Sequence, residues 1–295
     1  MMAFSFGPFI GFWTASDALV QAGALVIPGG GMSSETRLQM ILDHRCTVVC
    51  CTPTYALHLV SVADRLSIDL ARSAVTRLIV AGEPGGSIPA IRERIETGWG
   101  AKVIDHSGAS EIGAWGFGSD DGSGLHVIET EFIAERLHFD DEHPAGRPAE
   151  DGEQAELVLT GLGRFGGPAI RYRTGDIVRG YEVHNRRCRF LFLDGGVIGR
   201  SDDMMVIRGV NVFPSSIEAI VRSVDPVAEF RMIANRHGEM DSLVVEAELT
   251  VAGCERLAEL FQKRLAMRVE VRPVAEGSLP RFEAKARRLV DHRHR

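Results

Sequence analysis

Two polar motifs in the second half of the chain contain residues suited to binding a sugar diol. The first is Tyr-Arg-Thr-Gly-Asp at 172–176, and the second is Gly-Arg-Ser-Asp-Asp-Met at 199–204. A carboxylate just after a glycine turn can accept two hydrogen bonds from neighbouring hydroxyls, and a guanidinium donates several. Asp176 alone is more simply a residue that caps a β-turn. Its combination with Arg200 favours a ribose clamp made by the two side chains.

A lysine close to the carboxyl end could add a positive charge to such a site. Lys285 ends the segment Pro-Arg-Phe-Glu-Ala-Lys at 280–285. A lysine in a tail segment can bring a point charge to the place where a carboxylate meets a phosphate. The alternative is a solvated lysine in a basic tail, which is the commoner situation for a single lysine.

Two more polar clusters follow apolar segments in the first half of the chain. Ala-Gly-Glu-Pro at 81–84 follows one predicted strand, and Asp-His-Ser-Gly-Ala-Ser-Glu at 105–111 follows the next. Ligands of parallel sheets bind outside the carboxyl ends of the strands. The carboxylate and hydroxyl groups of the second cluster suit Mg²⁺ and phosphate, whereas the first cluster could also be a plain turn.

Alternating segments position these clusters and predict an α/β fold. The predicted helices lie near 9–22, 34–43, 53–65 and 88–97. The predicted strands between them lie at 24–27, 47–51, 77–81 and 101–104. Strands that alternate with helices of this length predict a mainly parallel sheet. Later segments alternate apolar and polar residues and predict antiparallel strands at 125–139, 155–160, 177–181 and 189–193.

The order of the motifs resembles the phenylacetate–CoA ligase family of adenylate-forming enzymes. Tyr-Arg-Thr-Gly-Asp, Gly-Arg-Ser-Asp-Asp-Met and Arg-Gly-Val-Asn-Val-Phe-Pro (208–214) carry the resemblance. It implies an incomplete large domain of mixed sheets and helices (1–199), followed by a small, mobile α+β domain (200–295). It also implies roles in the second half of the chain: ribose binding by Asp176 and Arg200, a hinge at Asp202, a CoA channel at Arg208 and Gly209, and catalysis of adenylation by Lys285.

The resemblance extends to the first half of the chain. It implies nucleotide binding by Gly82, Glu83, Pro84, Asp105, Ser107, Gly108 and Ser110, an acyl pocket at Tyr55, Ala81, Gly82 and Gly113, and Mg²⁺ binding by Glu111. Tyr55 could equally be an aromatic residue of the core. Ser107 departs from the family pattern, which has at this position an aromatic residue that stacks on adenine. Without the aromatic ring, nucleotide binding loses about 1 kcal/mol of stacking free energy.

The expected activity is an ATP-dependent ligation of a small aromatic carboxylic acid to coenzyme A. The cofactors and co-substrates are ATP/AMP, Mg²⁺ and CoA. The alternatives are an enzyme that loads an acyl group onto a carrier protein, and a nucleotide-binding remnant without catalysis.

The family's phosphate loop, rich in Ser, Thr and Gly and ending in Lys, is not found in this sequence. The glycine cluster at 29–31 is followed by Glu35 and not by a lysine. We therefore expect a truncated or split form, and either a homo-oligomer or a second chain that supplies the amino-terminal part.

Charge and composition argue against nucleic-acid binding, membrane insertion and zinc binding. The net charge of −7 argues against nucleic-acid and anionic-membrane binding. The apolar start of the chain lacks a basic segment and is interrupted by Asp17 and Gln21, which argues against a signal peptide or membrane span. The cysteines (46, 50, 51, 188 and 254) match no zinc-binding spacing, which favours a reduced, cytoplasmic protein.

Overall fold

The computed structural model describes residues 1–4, 10–182, 188–201, 203–207, 210–237, 240–265, 267–281 and 288–293. The chain divides into two compact units, Met1–Val197 and Ile198–Arg295. Within the described residues, no helix has both the length and the apolar character needed to cross a membrane.

The large unit combines helices with a long mixed sheet. Its helices are α1 (Ile10–Gln21), α2 (Ser34–Asp43), α3 (Pro53–Arg65) and α4 (Pro89–Trp99), with a 3₁₀ turn at Leu70–Arg72. Its strands are β1 (Val48–Cys51), β2 (Arg77–Val80), β3 (Lys102–Ala109), β4 (Gly113–Gly118), β5 (Gly124–Val127), β6 (Phe132–His138), β7 (Arg147–Pro148), β8 (Gln154–Gly161), β9 (Tyr172–Tyr181) and β10 (Phe192–Arg200). Their order in the sheet is β1-β2-β3-β4-β5-β10-β9-β8-β6-β7.

The first three strands are parallel, as the alternation of segments predicts. Helix α3 begins with Pro53 at its first position, and the Thr52 hydroxyl accepts a hydrogen bond from the Tyr55 amide at 3.2 Å. These are strong helix-start signals, since Pro lacks the amide that would be left without a partner and Thr satisfies another. Trp99 of α4 is fully buried and donates to the Ala56 carbonyl of α3 at 3.1 Å. The two helices thus share one core on this side of the sheet.

The structure differs from the sequence prediction at several strands. Strand β4 was not predicted, β9 begins at Tyr172 instead of 177, and residues 128–131 separate β5 from β6. The segment 24–27 forms no strand, and the nearby backbone makes only an isolated bridge between Pro28 and Met2. Strand β3 continues through Ala109 instead of ending at 104, because β4 turns back and pairs with it in antiparallel fashion. The cluster at 105–111, which was predicted to follow this strand, therefore lies largely on it.

The small unit is an α+β structure. Its elements are β11 (Met205–Ile207), β12 (Val210–Val212), α5 (Pro214–Val224), β13 (Phe230–His237), β14 (Met240–Ala247), α6 (Val251–Leu265), β15 (Glu270–Pro273) and β16 (Leu289–Asp291). The last four strands form a sheet in the order β15-β14-β13-β16. The unit has its own core, in which Phe230 of β13 and Phe261 of α6 are fully buried.

A buried carboxylate fixes the segment that follows β15 in the small unit. The Glu248 side chain is 2% exposed and forms two hydrogen bonds with the Arg281 guanidinium, at 3.0 and 2.6 Å. Glu248 also accepts from the Leu279 amide at 2.9 Å. The Arg281 hydrogen bonds lower the pKa of Glu248 to about 2. The ionised form is therefore the one that the folded unit holds.

We expect Glu248→Gln to destabilise the protein by about 1–3 kcal/mol at pH 7, because it leaves Arg281 without its charged partner. The lowered pKa means that this contribution is present above pH ~4.5 and is lost as the pH falls towards ~2. Urea unfolding of the full chain at pH 7 and pH 3 measures both effects. Glu270→Gln is the matched control, because its pair with Arg272 is more than half exposed on both sides. It should cost far less than Glu248→Gln, because an exposed pair is screened by solvent, and an equal cost for both variants would contradict this interpretation.

Candidate nucleotide-binding site

The loops that follow the first two parallel strands are bonded to each other. The Ala81 amide donates to the Cys51 carbonyl at 3.2 Å. Glu83, in the loop after β2, accepts a hydrogen bond from the Thr54 amide at 2.7 Å. Thr54 lies in the first turn of α3, where amides have no partner within the helix and the helix dipole favours a carboxylate. The segment 81–84 is therefore a fixed loop at the carboxyl edge of the sheet, with Gly82 exposed.

Asp105 is the polar side chain held most closely at this edge. Its carboxylate accepts from the Ser87 hydroxyl at 2.6 Å and from the His106 amide at 3.0 Å. A Cβ atom at Gly86 would lie 2.5 Å from the Asp105 Cγ, so only glycine permits this approach. Burial raises the pKa of Asp105 to about 6, although its hydrogen bonds with Ser87 and His106 favour the ionised form.

Ser107 and Gly108 lie on β3, opposite the glycine-rich strand β4. Ser107 pairs with Gly116, and the register shifts between Ser107 and Gly108. The Ser107 side chain is half-buried at this irregularity. The position that the sequence marks as departing from the family pattern is therefore a β3 position beside an irregularity, at which β4 carries the extra residue, Trp115.

The turn between β3 and β4 carries Ser110 and Glu111, which are both exposed. The guanidinium of Arg164 donates to the Glu111 carbonyl at 2.6 Å and to the Ser110 carbonyl at 3.4 Å. Arg164 belongs to the loop between β8 and β9, so this contact joins that loop to the turn. Among the residues that the structure describes, no group of three or more His, Cys, Asp and Glu side chains is arranged to hold a metal ion.

Asp176 lies on β9 and is half-buried. Its amide donates to the Thr174 hydroxyl at 3.0 Å, and that hydroxyl donates to the Leu157 carbonyl of β8 at 2.7 Å. Arg200, at the end of β10, belongs to the small unit, whereas Asp176 belongs to the large unit. The ribose clamp that pairs the two side chains stays a prediction.

Of the residues predicted for the acyl pocket, Tyr55 is a core side chain in the structure. It is 5% exposed, its hydroxyl is 3.0 Å from the Ser34 hydroxyl, and the Arg37 guanidinium lies 4.9 Å from its ring centre. This matches the core alternative that the sequence left open. Ala81 and Gly113 are half-buried at the two loops that follow β2 and β3. A pocket formed by these residues stays a prediction.

Four predicted residues lie outside the described part of the chain: Asp202, Arg208, Gly209 and Lys285. Two residues of the described site were not predicted from the sequence. Ser87 gave no signal beyond lying after the Ala-Gly-Glu-Pro cluster. Arg164 stands in a glycine-rich loop, and its contact with the turn joins residues 53 positions apart.

The sequence is similar to characterised ligases along nearly its whole length. It is 32% identical to the phenylacetate–coenzyme A ligase of Escherichia coli K12 over 99% of this chain and 69% of that protein. It is 31% identical to the Pseudomonas putida enzyme of the same name, over 99% of this chain and 68% of the relative. The chain belongs to the phenylacetate–CoA ligase family. This family consists of ATP-dependent carboxylate–CoA ligases, and the family predicted from the motifs is confirmed.

The family assignment agrees with a domain model and with solved structures. Residues 209–293 match the C-terminal domain of AMP-binding enzymes. A 2-hydroxyisobutyryl-CoA ligase, solved in the postadenylation state with an acyl-AMP, has a TM-score of 0.89 and 28% identity, over 98% of this chain and 64% of that one. An anthranilate CoA ligase, with a TM-score of 0.62 and 19% identity, shares the fold. The predicted fold class is confirmed. The chain spans about two-thirds of the length of the Escherichia coli relative and of the 2-hydroxyisobutyryl-CoA ligase, and 51% of the anthranilate CoA ligase.

The raised pKa of Asp105 predicts that this carboxylate costs stability at neutral pH. In the folded protein the protonated form is favoured up to pH ~6, so stability falls as the pH rises from about 4 to about 6. Asp105→Asn removes this penalty and should raise the free energy of unfolding by about 1–3 kcal/mol at pH 8, and by much less at pH 4.

Urea unfolding at the two pH values measures the effect. The exposed Asp64→Asn on α3 is the control and should stay within about 0.5 kcal/mol of the unchanged protein. A loss of stability in Asp105→Asn at pH 8 would show that the carboxylate stabilises the fold, and would contradict the account of its burial.

Proposed function

We propose that this protein ligates a small aryl or arylacetate acid to coenzyme A with ATP, releasing AMP and pyrophosphate. The observation that supports this most directly is its membership of the phenylacetate–CoA ligase family along the whole chain. The placement of Glu83, Asp105 and Ser110 at the carboxyl edge of β1–β3 also supports it, since nucleotides bind at that edge in open α/β sheets.

The reaction has two steps. A carboxylate oxygen attacks the α-phosphorus of ATP, the bond to pyrophosphate breaks, and acyl-AMP forms. The sulfur of CoA then attacks the acyl carbon, and AMP leaves. Binding of both reactants in line supplies much of the rate gain, because it replaces an encounter in solution.

In this proposal, different residues bind the base, the phosphate and the ribose of the nucleotide. Asp105 accepts a hydrogen bond from the adenine amino group, Gly82, Glu83 and Pro84 border the base, and Gly108 with Ser110 approaches the phosphate. Asp176 and Arg200 hold the ribose hydroxyls. Lys285 brings positive charge to the developing charge on the carboxylate and the α-phosphate.

Glu111 is the residue proposed to bind Mg²⁺. Its exposed position in the β3–β4 turn fits an ion bound through one carboxylate together with substrate phosphates, which is a common arrangement for Mg²⁺. When bound, the ion would neutralise phosphate charge.

The small unit is proposed to change its orientation between the two steps. Asp202 lies close to the division between the two units and would serve as the hinge. The rotation would remove Lys285 after adenylation and present Arg208 and Gly209 to the arriving CoA. The acid is proposed to lie near Ala81, Gly82 and Gly113, with Tyr55 behind this surface.

A nucleotide-binding protein without catalysis is the second candidate. Ser107, in place of an aromatic residue, supports the loss of catalysis, because a base without its stacking partner is placed less accurately for reaction. The two candidates differ in a single measurable product, pyrophosphate.

Pyrophosphate release from ATP tests the proposal. The purified chain is assayed with phenylacetate, benzoate and 2-hydroxyisobutyrate, with and without CoA. We expect release with at least one aryl acid, and an acyl-CoA product when CoA is present. Lys285→Ala should slow adenylation about 100-fold or more, with a much smaller effect on transfer from supplied acyl-AMP.

Lys263→Ala, which alters an exposed lysine of α6, is the matched control and should keep full activity. Binding of AMP without pyrophosphate release from any acid would favour the non-catalytic candidate. Equal loss of both partial reactions in Lys285→Ala would contradict the role proposed for this lysine.

A further inference from the structure

The Thr-Gly-Asp part of the ribose motif is a bulge in β9. Arg173 pairs with Val158 of β8, and Ile177 pairs with Glu156. Between these pairs β8 has only Leu157, whereas β9 has three residues, 174–176. A bulge of this kind breaks the ladder and re-aims the side chains of the longer strand. The direction of the Asp176 side chain therefore depends on the contacts that fix the bulge.

The carboxylate of Glu156 holds this bulge together with the Thr174 hydroxyl. Glu156 is only 6% exposed. Its Oε1 accepts from the Gly175 amide at 3.3 Å and from the Arg173 Nε at 3.0 Å, and its Oε2 accepts from the Arg173 Nη2 at 2.5 Å. Gly175 has a φ of +74°, a conformation that favours glycine. One buried side chain thus binds Arg173 and Gly175, which both lie just before Asp176 in the motif.

The arginine just before the motif, Arg171, has a different contact. Arg171 donates to Glu135 of β6 at 3.0 Å and to the Ala145 carbonyl at 3.0 Å. Both side chains of this pair are at least one-third exposed. The Glu135 pair resembles the Glu156 pair chemically, but no hydrogen bond connects Glu135 to the bulge in the described residues.

We propose that Glu156 is a positioning residue for Asp176, and that it fixes the bulge from which Asp176 reaches the ribose diol. The inference rests on the proposed ribose role of Asp176. Glu156 itself does not touch the nucleotide. The Thr174 hydroxyl fixes the bulge from one side by its bond to Leu157, and Glu156 fixes it from the other.

Glu156→Gln tests the proposal with little change of shape. The glutamine oxygen at the Oε1 position can still accept from the Gly175 amide and from Arg173 Nε, but it carries no charge. The amide group at the Oε2 position opposes the Arg173 Nη2 donor, so the two-pronged contact is lost and the hold on the bulge weakens. In the nucleotide-free protein, we expect the Gly175 amide to exchange its hydrogen about tenfold faster than in the unchanged protein, measured by NMR. Unchanged exchange would overturn the proposal, whether or not the protein binds AMP.

Nucleotide binding tests the consequence for Asp176. We expect Glu156→Gln to weaken AMP binding about tenfold, the size of losing one hydrogen bond to a charged group. The preference for AMP over 2′-deoxy-AMP should also fall, since Asp176 would no longer be aimed at the diol. An equal loss for both nucleotides would indicate a general loss of structure and would contradict the positioning role.

A double-mutant cycle separates action through Asp176 from direct effects. In an Asp176→Asn background, Glu156→Gln should change AMP affinity by less than about twofold. A further tenfold loss in that background would overturn the proposal. Glu135→Gln is the matched control and should leave both AMP affinity and Gly175 exchange unchanged.

Arg173→Lys provides a second variant if Glu156→Gln fails to fold. Lysine keeps the positive charge but loses the two-pronged contact with Glu156, and the Arg173 side chain is 55% exposed. It should accelerate Gly175 exchange in the same direction. If both variants loosen the bulge while the unchanged protein binds no AMP, the proposed function fails and the assignment of Glu156 to the bulge stands.

Discussion

The burial of the Asp105 carboxylate is the constraint on which the candidate site depends. The group is taken from water, and its hydrogen bonds with Ser87 and His106 offset part of that cost. Because Gly86 permits the close approach, the loop after β2 and strand β3 form one surface. Stability alone would favour a neutral side chain at this position, and the nucleotide role proposed for Asp105 would account for a carboxylate here.

Two other contacts extend this surface beyond the parallel strands. Arg164 bonds the β8–β9 loop to the turn at Ser110 and Glu111. Glu156 then fixes the bulge a few residues further along β9, from which Asp176 projects. Asp105, Ser110 and Asp176, which are proposed to contact the base, the phosphate and the ribose, thus lie in segments fixed by hydrogen bonds. A site of this kind needs little ordering when the nucleotide binds.

Local signals in the sequence predicted the helices well and the strands less well. Helices α2 and α3 have the predicted bounds, because Ser33, Thr52 and Pro53 mark their starts within a few residues. The continuation of β3 through Ala109 depends on pairing with β4, and the same residues without β4 would form a loop. The motifs identified the family and its candidate residues. The contacts that position those residues join positions far apart in the chain, such as Arg164 and Glu111, and no local pattern predicts them.

The central claim is that the carboxyl edge of β1–β3 and the bulge of β9 together bind an adenine nucleotide. Hydrogen exchange of the full chain with and without AMP, followed by mass spectrometry, tests it most directly. The account predicts slower exchange in segments 81–87, 105–112 and 172–178 when AMP is bound, and unchanged exchange in α2 and α6. Protection confined to other segments, or no protection at AMP concentrations far above those of cells, would contradict it.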